Sequence, residues 1–248
     1  MLVAARSAGL GQLRGYLVAD LLSRYSERTG LTPTVIDLLP RREAELRAAC
    51  AELNIYPPRH TLTLPVTEEQ LAGQFPDGIR EPVFDVGVRA AGEPAEPAAE
   101  GLAGYWIEVA GGGNGTAGDC AGTTSLERLE LGAEPAAVRL NLMRHGYGEM
   151  LGSGPQPGAL EADSARKDLA RWRELVARWA RSPSGPMSRR YADAITAAFA
   201  DDLDTAAALR EMAALADDAG VPDGVKFETF AAADRLFGLD LARDVGRY

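Results

Sequence analysis

The sequence is poor in the residue types that carry metal and redox chemistry. Its 248 residues include two cysteines, two histidines and two lysines. Cys50 and Cys120 follow no metal-ligand spacing, and two cysteines make no disulfide framework. Neither His60 nor His145 has a partner at ligand spacing. This composition favours a reduced, cytoplasmic compartment and argues against a structural metal centre.

Long apolar runs and a surplus of basic residues are also absent. No apolar run approaches about 20 residues, so no membrane span is expected. Arg6 and Arg14 interrupt the N-terminal apolar stretch, which argues against a signal peptide. The formal net charge is -10, whereas a general nucleic-acid binder needs a basic surface. The arginines within residues 171–181 are expected to form a solvated helix face.

What is present differs between the two halves of the chain. An apolar run at residues 2–5 predicts a strand, and a small, glycine-rich turn at residues 7–11 follows it. Apolar residues at helical spacing up to Tyr25 then predict a helix, which Gly30 ends. Residues 34–39 predict a second strand. This order of strand, glycine turn, helix and strand is typical of an α/β nucleotide-binding unit.

The rest of the first half is less regular, and the second half is helical. We predict helices at 42–53 and 66–75, strands at 83–88 and 105–110, and no regular element at 111–122. Further helices are predicted at 125–131, 135–143, 160–181, 188–199, 205–217 and 227–237. The fold class is therefore a Rossmann-like α/β domain over residues 1–124, followed by an all-α helical bundle over residues 125–248.

Three segments of the second half resemble a known family. They are EPAAVRLNLMRHGY at 134–147, FADDLDTAAAL at 199–209 and ADRLFGLDL at 233–241. They resemble the helical domain of the family that contains cysteinyl-tRNA synthetase and the mycothiol cysteine ligase, of the class I synthetase superfamily. The first two are nearer the mycothiol branch, which couples cysteine to an amino sugar. Looser counterparts lie at 9–25, 51–58 and 105–111, and the chain is shorter than a normal family member.

The resemblance implies that most catalytic residues are missing. Gly9 and Gln12 stand where the family has two phosphate-binding histidines, although the glycine at position 11 is kept. Such donors are worth a few kcal/mol each at the transition state. The lysine-bearing loop that clamps the triphosphate has no counterpart between residues 105 and 125. Standard cysteinyl-tRNA synthetase activity is therefore not expected.

The resemblance also implies the loss of zinc. The family binds the cysteine thiolate with zinc held by cysteine and other side chains. Here Ala4 and Val109 stand at two ligand positions, and the segment with the remaining ligands has no counterpart. We expect no zinc.

Several residues remain as candidates for ligand binding. Gly9, Gly11 and Gln12 lie at a helix start, where backbone N–H groups bind phosphate or carboxylate, although a plain tight turn explains the glycines equally well. Trp106 and Glu108 share one face of a predicted strand. They form either a ring and a carboxylate that holds an amine, or a part-buried Trp and a rim Glu. The segment Gly111, Gly112 and Gly113 is either a remnant of the family's adenine-contacting glycines or a linker.

These residues lead to two hypotheses of function. In the first, strands 2–5 and 105–110 are neighbours, and their carboxyl ends form a residual cleft for an amino acid, ATP or an aminoacyl adenylate. The protein would then form an amide or transfer an aminoacyl unit in bacterial specialised metabolism. In the second, it is a catalytically inactive pseudo-synthetase that binds a protein partner. The acidic charge and the missing anticodon-recognition extension argue against tRNA, and whether the protein is an enzyme stays open.

Overall fold

The computed structural model describes residues 2–4, 10–38, 44–62, 84–91, 103–110, 134–149, 151 and 162–247. Within these ranges the chain forms five strands and seven helices. It divides into two compact units, Met1–Glu130 with Tyr147–Ala159 and Leu131–Gly146 with Leu160–Tyr248. The helices predicted at 66–75 and 125–131 lie outside the described residues. None of the described helices is long and apolar enough to cross a membrane.

The described strands of the first unit form a parallel sheet. They are β1 Leu2–Ala4, β2 Ile36–Leu38, β3 His60–Leu62, β4 Phe84–Ala90 and β5 Ala103–Val109. The order of the sheet is β3-β2-β1-β4-β5, and every pairing is parallel. This order agrees with a doubly wound α/β sheet, in which the chain crosses from β3 over to β4 on the far side of β1. The short β3 was not predicted, because three residues carry no readable periodicity.

Two described helices of the first unit are α1, Leu10–Arg28, and α2, Ala44–Glu52. Helix α1 buries Leu13, Leu17 and Leu21, which recur every four residues and so lie on one face. Gly30 ends it with a φ of +86°, as predicted. At Gly15 an added Cβ would lie 3.7 Å from Val88, so α1 runs close to β4.

The second unit is helical. Its core contains aromatic pairs at T-shaped angles, with Trp179 and Phe230 at 5.1 Å between ring centroids and Phe199 and Phe237 at 5.4 Å. Asp204 caps a helix by accepting the Ala207 N–H at 2.7 Å. The helices are α3 Pro135–Met143, α4 Ala162–Trp179, α5 Arg189–Ala200, α6 Thr205–Asp217 and α7 Asp223–Phe237.

Buried arginines connect the helices of this unit. Arg139 is fully buried on α3, and its Nε donates to the Phe237 carbonyl at 2.6 Å. Arg173 on α4 is 5% exposed and donates to the Leu239 and Asp240 carbonyls. The expectation that the arginines at 171–181 all face solvent is therefore wrong for Arg173. Backbone carbonyl oxygens accept the hydrogen bonds that its guanidinium would otherwise donate to water.

Candidate functional site

The carboxyl edge of the sheet is the place where a parallel α/β sheet binds ligands. β1 ends at Ala4 and β5 ends at Val109, and β4 lies between them. The expectation that β1 and β5 are neighbours is therefore wrong. The weakly patterned segment at 83–88 takes the position beside β1, where Val88 is fully buried. The two strand ends are separated by about 10 Å, two inter-strand spacings.

Gly11 and Gln12 lie in the first turn of α1, and both are buried. Because α1 follows β1 along the chain, its N-terminus lies toward the carboxyl edge of that strand. The first turn of a helix has N–H groups without intrahelical partners and a partial positive charge, which suit an anionic group. Gly9, Gly111, Gly112 and Gly113 lie outside the described residues.

Arg89 on β4 contacts both Trp106 and Glu108. Arg89 was not among the site residues predicted from the sequence. Arg89 pairs with Glu108 in the strand register. Its Nη2 lies 2.7 Å from Glu108 Oε1, and its guanidinium carbon lies 5.2 Å from the centroid of the Trp106 ring. Both side chains thus share one face of β5, as the alternation predicted. The Glu108 carboxylate already faces a cation, so an incoming amine would compete with Arg89.

The Trp106 ring lies directly over Gly87 on the adjacent strand. A Cβ added at Gly87 would be 2.5 Å from ring atom Cε3. Only glycine leaves room for the ring in this position. The indole is therefore held against the sheet and is half-buried.

Arg14 is the second residue that sequence reasoning missed. It lies one turn after Gly11 in α1 and is 2% exposed. Its Nη1 donates to the carbonyl of Ala110, just past the end of β5, and to the carbonyl of Glu149 at 2.7 Å. Burial lowers the pKa of Arg14 to about 10, and the Glu149 carboxylate opposes that shift. Arg14 therefore places a buried cation near the end of β5.

A second polar cluster lies between α1, α2 and β2. Asp37 is 1% exposed and accepts from Tyr16 Oη at 3.3 Å and from Arg47 Nη2 at 2.9 Å. Burial, and then the Asp37 charge, raises the pKa of Tyr16. Burial also raises the pKa of the Cys50 thiol to about 12. Neither group is therefore ionised near neutral pH, and the cluster offers no activated nucleophile.

The residues that the resemblance places at zinc-ligand positions do not fit zinc. Ala4 has no ligand atom, and Val109 is a fully buried apolar side chain. Among the described residues, no group of three or more histidines, cysteines or carboxylates is arranged to hold a metal ion.

The protein thus belongs to the class of two-unit proteins that combine a small parallel α/β sheet in one unit with a helical second unit. No protein-family model matches the chain. A 114-residue stretch is 37% identical to the L-cysteine:1D-myo-inositol 2-amino-2-deoxy-alpha-D-glucopyranoside ligase of Streptomyces coelicolor. The stretch covers 44% of this chain and 26% of that ligase, about a quarter of its length. The match supports a relation to the cysteinyl-tRNA synthetase-like family over that stretch.

Proposed function

We propose that this protein is a ligase-like relative of the cysteinyl-tRNA synthetase family that acts on an amino acid or an aminoacyl-type substrate. The observation that carries the proposal is the stretch that is 37% identical to the Streptomyces cysteine ligase. That relative joins cysteine to an amino sugar according to its name. The corresponding chemistry here is amide formation or aminoacyl transfer.

We place the substrate at the carboxyl edge of the parallel sheet. In the order β3-β2-β1-β4-β5, the chain builds the sheet outward from β1 to β3 and then crosses back to add β4 on the other side of β1. Such a switch point, here between β1 and β4, leaves a crevice outside the carboxyl ends of the strands. The first turn of α1, with Gly11 and Gln12, begins beside this point. A truncated Rossmann-like cleft of the class I synthetase type is the proposed origin of this arrangement.

The charges at this edge favour a zwitterionic or adenylated ligand. The first-turn N–H groups of α1 suit a carboxylate or phosphate, and the cation of Arg14 lies one turn further on. Glu108 offers a carboxylate that binds an amine once Arg89 moves aside. An amino acid, ATP or an aminoacyl adenylate would meet these groups.

A thermal-shift screen with ATP, AMP, amino acids and aminoacyl-sulfamoyl adenosines tests the proposal. A ligand at a hundredfold excess over its Kd stabilises the folded state by about 2.7 kcal/mol. Gly11→Val should abolish the shift, since its side chain would occupy the approach to the helix N-terminus. Glu108→Gln should weaken amino-acid binding.

Arg89→Ala is the matched control for Glu108→Gln, because both variants break the same ion pair. If Glu108 holds an amine, Glu108→Gln binds the amino acid more weakly, whereas Arg89→Ala binds it equally well or more tightly. Equal shifts in the wild type and both variants, or no shift in the wild type, would contradict the proposed site.

The alternative function is a catalytically inactive pseudo-synthetase that binds a protein partner. The pairing of Glu108 with Arg89, and of Arg89 with the Trp106 ring, favours it, since both candidate side chains already have intramolecular partners. The same screen separates the two functions. The alternative expects no shift with any compound.

We also propose that the protein works without zinc, because Ala4 and Val109 replace two ligands of the resembling family. Metal analysis of untagged protein tests this. A zinc content of about one ion per chain, as in a protein with a structural or catalytic zinc site, would contradict it.

A further inference from the structure

The second unit contains a groove that the proposed function does not use. It has a cavity volume of about 560 Å³, within the range of small-molecule sites. One wall is α4, and the other is the segment that follows α7. The groove is lined by Glu134, Arg166, Leu169, Ala170, Arg173, Glu174, Ala177, Arg178, Arg181, Arg243 and Asp244.

The α4 wall has an apolar floor between charged side chains. Ala170 and Ala177 are seven residues apart, two helical turns, so they lie on one face. Leu169 and Ala177 are buried in the floor, at 1% and 7% exposed, so Ala170 supplies most of the accessible apolar surface. Because the alanines are small, the floor leaves space for the apolar part of a ligand.

The opposite wall is held in place by polar contacts. Asp234 accepts the Leu239 and Leu241 N–H groups, each at 2.8 Å. Arg173 donates to the Leu239 and Asp240 carbonyls at 3.0 Å. These contacts fix the turn that carries Arg243 and Asp244 over α4. The groove is therefore preformed, which lowers the cost of binding.

The charge of the lining is positive. Five arginines face three carboxylates, so the formal surplus is two positive charges. Glu134 accepts from Arg173 at 2.9 Å and lies 3.5 Å from Arg243, so it is already neutralised. Arg166 pairs with Asp163 at 2.9 Å. Arg178 has no ion-pair partner among the described residues, and it lies one turn beyond Glu174.

We propose that this groove binds a small organic oxyanion, with the phosphate or carboxylate at Arg178 and the apolar body on the alanine floor. Guanidinium groups bind both oxyanions through paired N–H donors. The size of the groove suits a compact molecule. The net charge of -10 disfavours a long polyanion over a single small one.

The test is a chemical-shift titration of the ¹⁵N-labelled full chain with phenyl phosphate, benzoate and inorganic phosphate. We expect one molecule per chain and shifts at the amides of α4 and of residues 243–244. Phenyl phosphate should bind more tightly than inorganic phosphate, because it also covers the floor. The ratio of the affinity for phenyl phosphate to the affinity for benzoate shows whether the groove prefers a phosphate or a carboxylate.

Substitutions at two exposed positions test the charged part and the apolar part of the site separately. Arg178→Glu should weaken all three probes by about tenfold or more, since it reverses the charge that meets the oxyanion. Ala170→Leu, which fills the floor without changing charge, should weaken phenyl phosphate and benzoate but not inorganic phosphate. Arg210→Glu is the matched control, because Arg210 is an exposed arginine of the same unit outside the groove.

Three results would overturn the proposal. They are no shift at these amides with any probe at millimolar concentration, wild-type affinity in Arg178→Glu, or tighter binding of a short RNA at the same amides. The last result would replace the small oxyanion with a nucleic acid.

Discussion

Cys50 is a thiol that burial keeps protonated. Its pKa lies at about 12 instead of its ordinary 9.0, because the thiolate would lose its hydration between α1 and α2. Arg47 favours the thiolate but does not outweigh burial. Its reactivity should therefore differ from that of an exposed thiol.

We expect alkylation of Cys50 by iodoacetamide to be slow at pH 8 and to keep rising with pH well beyond 9. Folding stability should fall between about pH 9 and 12, since the unfolded thiol ionises first and the folded one does not. The rate is measured by mass spectrometry in a Cys120→Ser background. A rate that levels off near pH 9 would show an ordinary, exposed thiol.

Arg14 is the residue whose role was least visible in the sequence. Its acceptor at Ala110 lies 96 residues away, and both acceptors are backbone carbonyls, which carry no sequence signal. From the sequence, Arg14 only interrupted an apolar stretch. Glu108 was visible from strand alternation, but its partner Arg89 was not, because the pairing of β4 with β5 sets it.

We expect Arg14→Met to destabilise the protein by about 1–3 kcal/mol, because it removes the donor to the buried Ala110 carbonyl oxygen. Methionine keeps most of the volume, so the loss reports hydrogen bonding more than packing. Urea unfolding measures the change. Arg28→Met, at the exposed end of α1, is the control and should change stability by less than about 0.5 kcal/mol. Equal losses of stability in the two variants would contradict this structural role of Arg14.

At the scale of elements, the helices were the more predictable part. Helices α3 and α6 have the predicted bounds, because apolar periodicity and caps mark them locally. The strands are short, and β3 gave no signal. Their order could not be read, since parallel pairing joins residues far apart in the chain, as Val3 pairs with Val88. That is why β5 was expected beside β1, where β4 in fact lies.

The contact between β4 and β5 depends on a glycine. We expect Gly87→Ala to destabilise the protein by about 1–3 kcal/mol, because its Cβ would overlap the Trp106 ring. Combining it with Trp106→Leu should recover part of the loss, which a double-mutant cycle measures as coupling.

Gly148→Ala is the matched control for Gly87→Ala, because among the described residues no atom beyond its chain neighbours lies within 4 Å of its added Cβ. It should leave stability nearly unchanged. Strict additivity of Gly87→Ala and Trp106→Leu would mean that the ring does not rest on the glycine.

At the scale of the whole molecule, two separate cores account for the two compact units. Leu13, Ile36 and Val88 are buried in the first unit, and Trp179 and Phe230 are buried in the second. Each unit has a glycine on which its packing depends. An added Cβ at Gly224, at the start of α7, would lie 1.9 Å from the Pro183 carbonyl oxygen. Because that contact is with backbone, a side-chain rotation cannot relieve it.

We therefore expect hydrogen exchange in Gly224→Ala to speed up in α3 to α7 while α1 and the strands keep their protection. Gly87→Ala should give the converse pattern. Exchange of buried amides reports the free energy of local opening, so a loss of about 1.4 kcal/mol lowers protection tenfold in the affected unit. Mass spectrometry of peptides from each unit measures this, with Gly148→Ala as control. If either glycine variant lowers protection equally in both units, the chain unfolds as one cooperative structure and the two cores do not act separately.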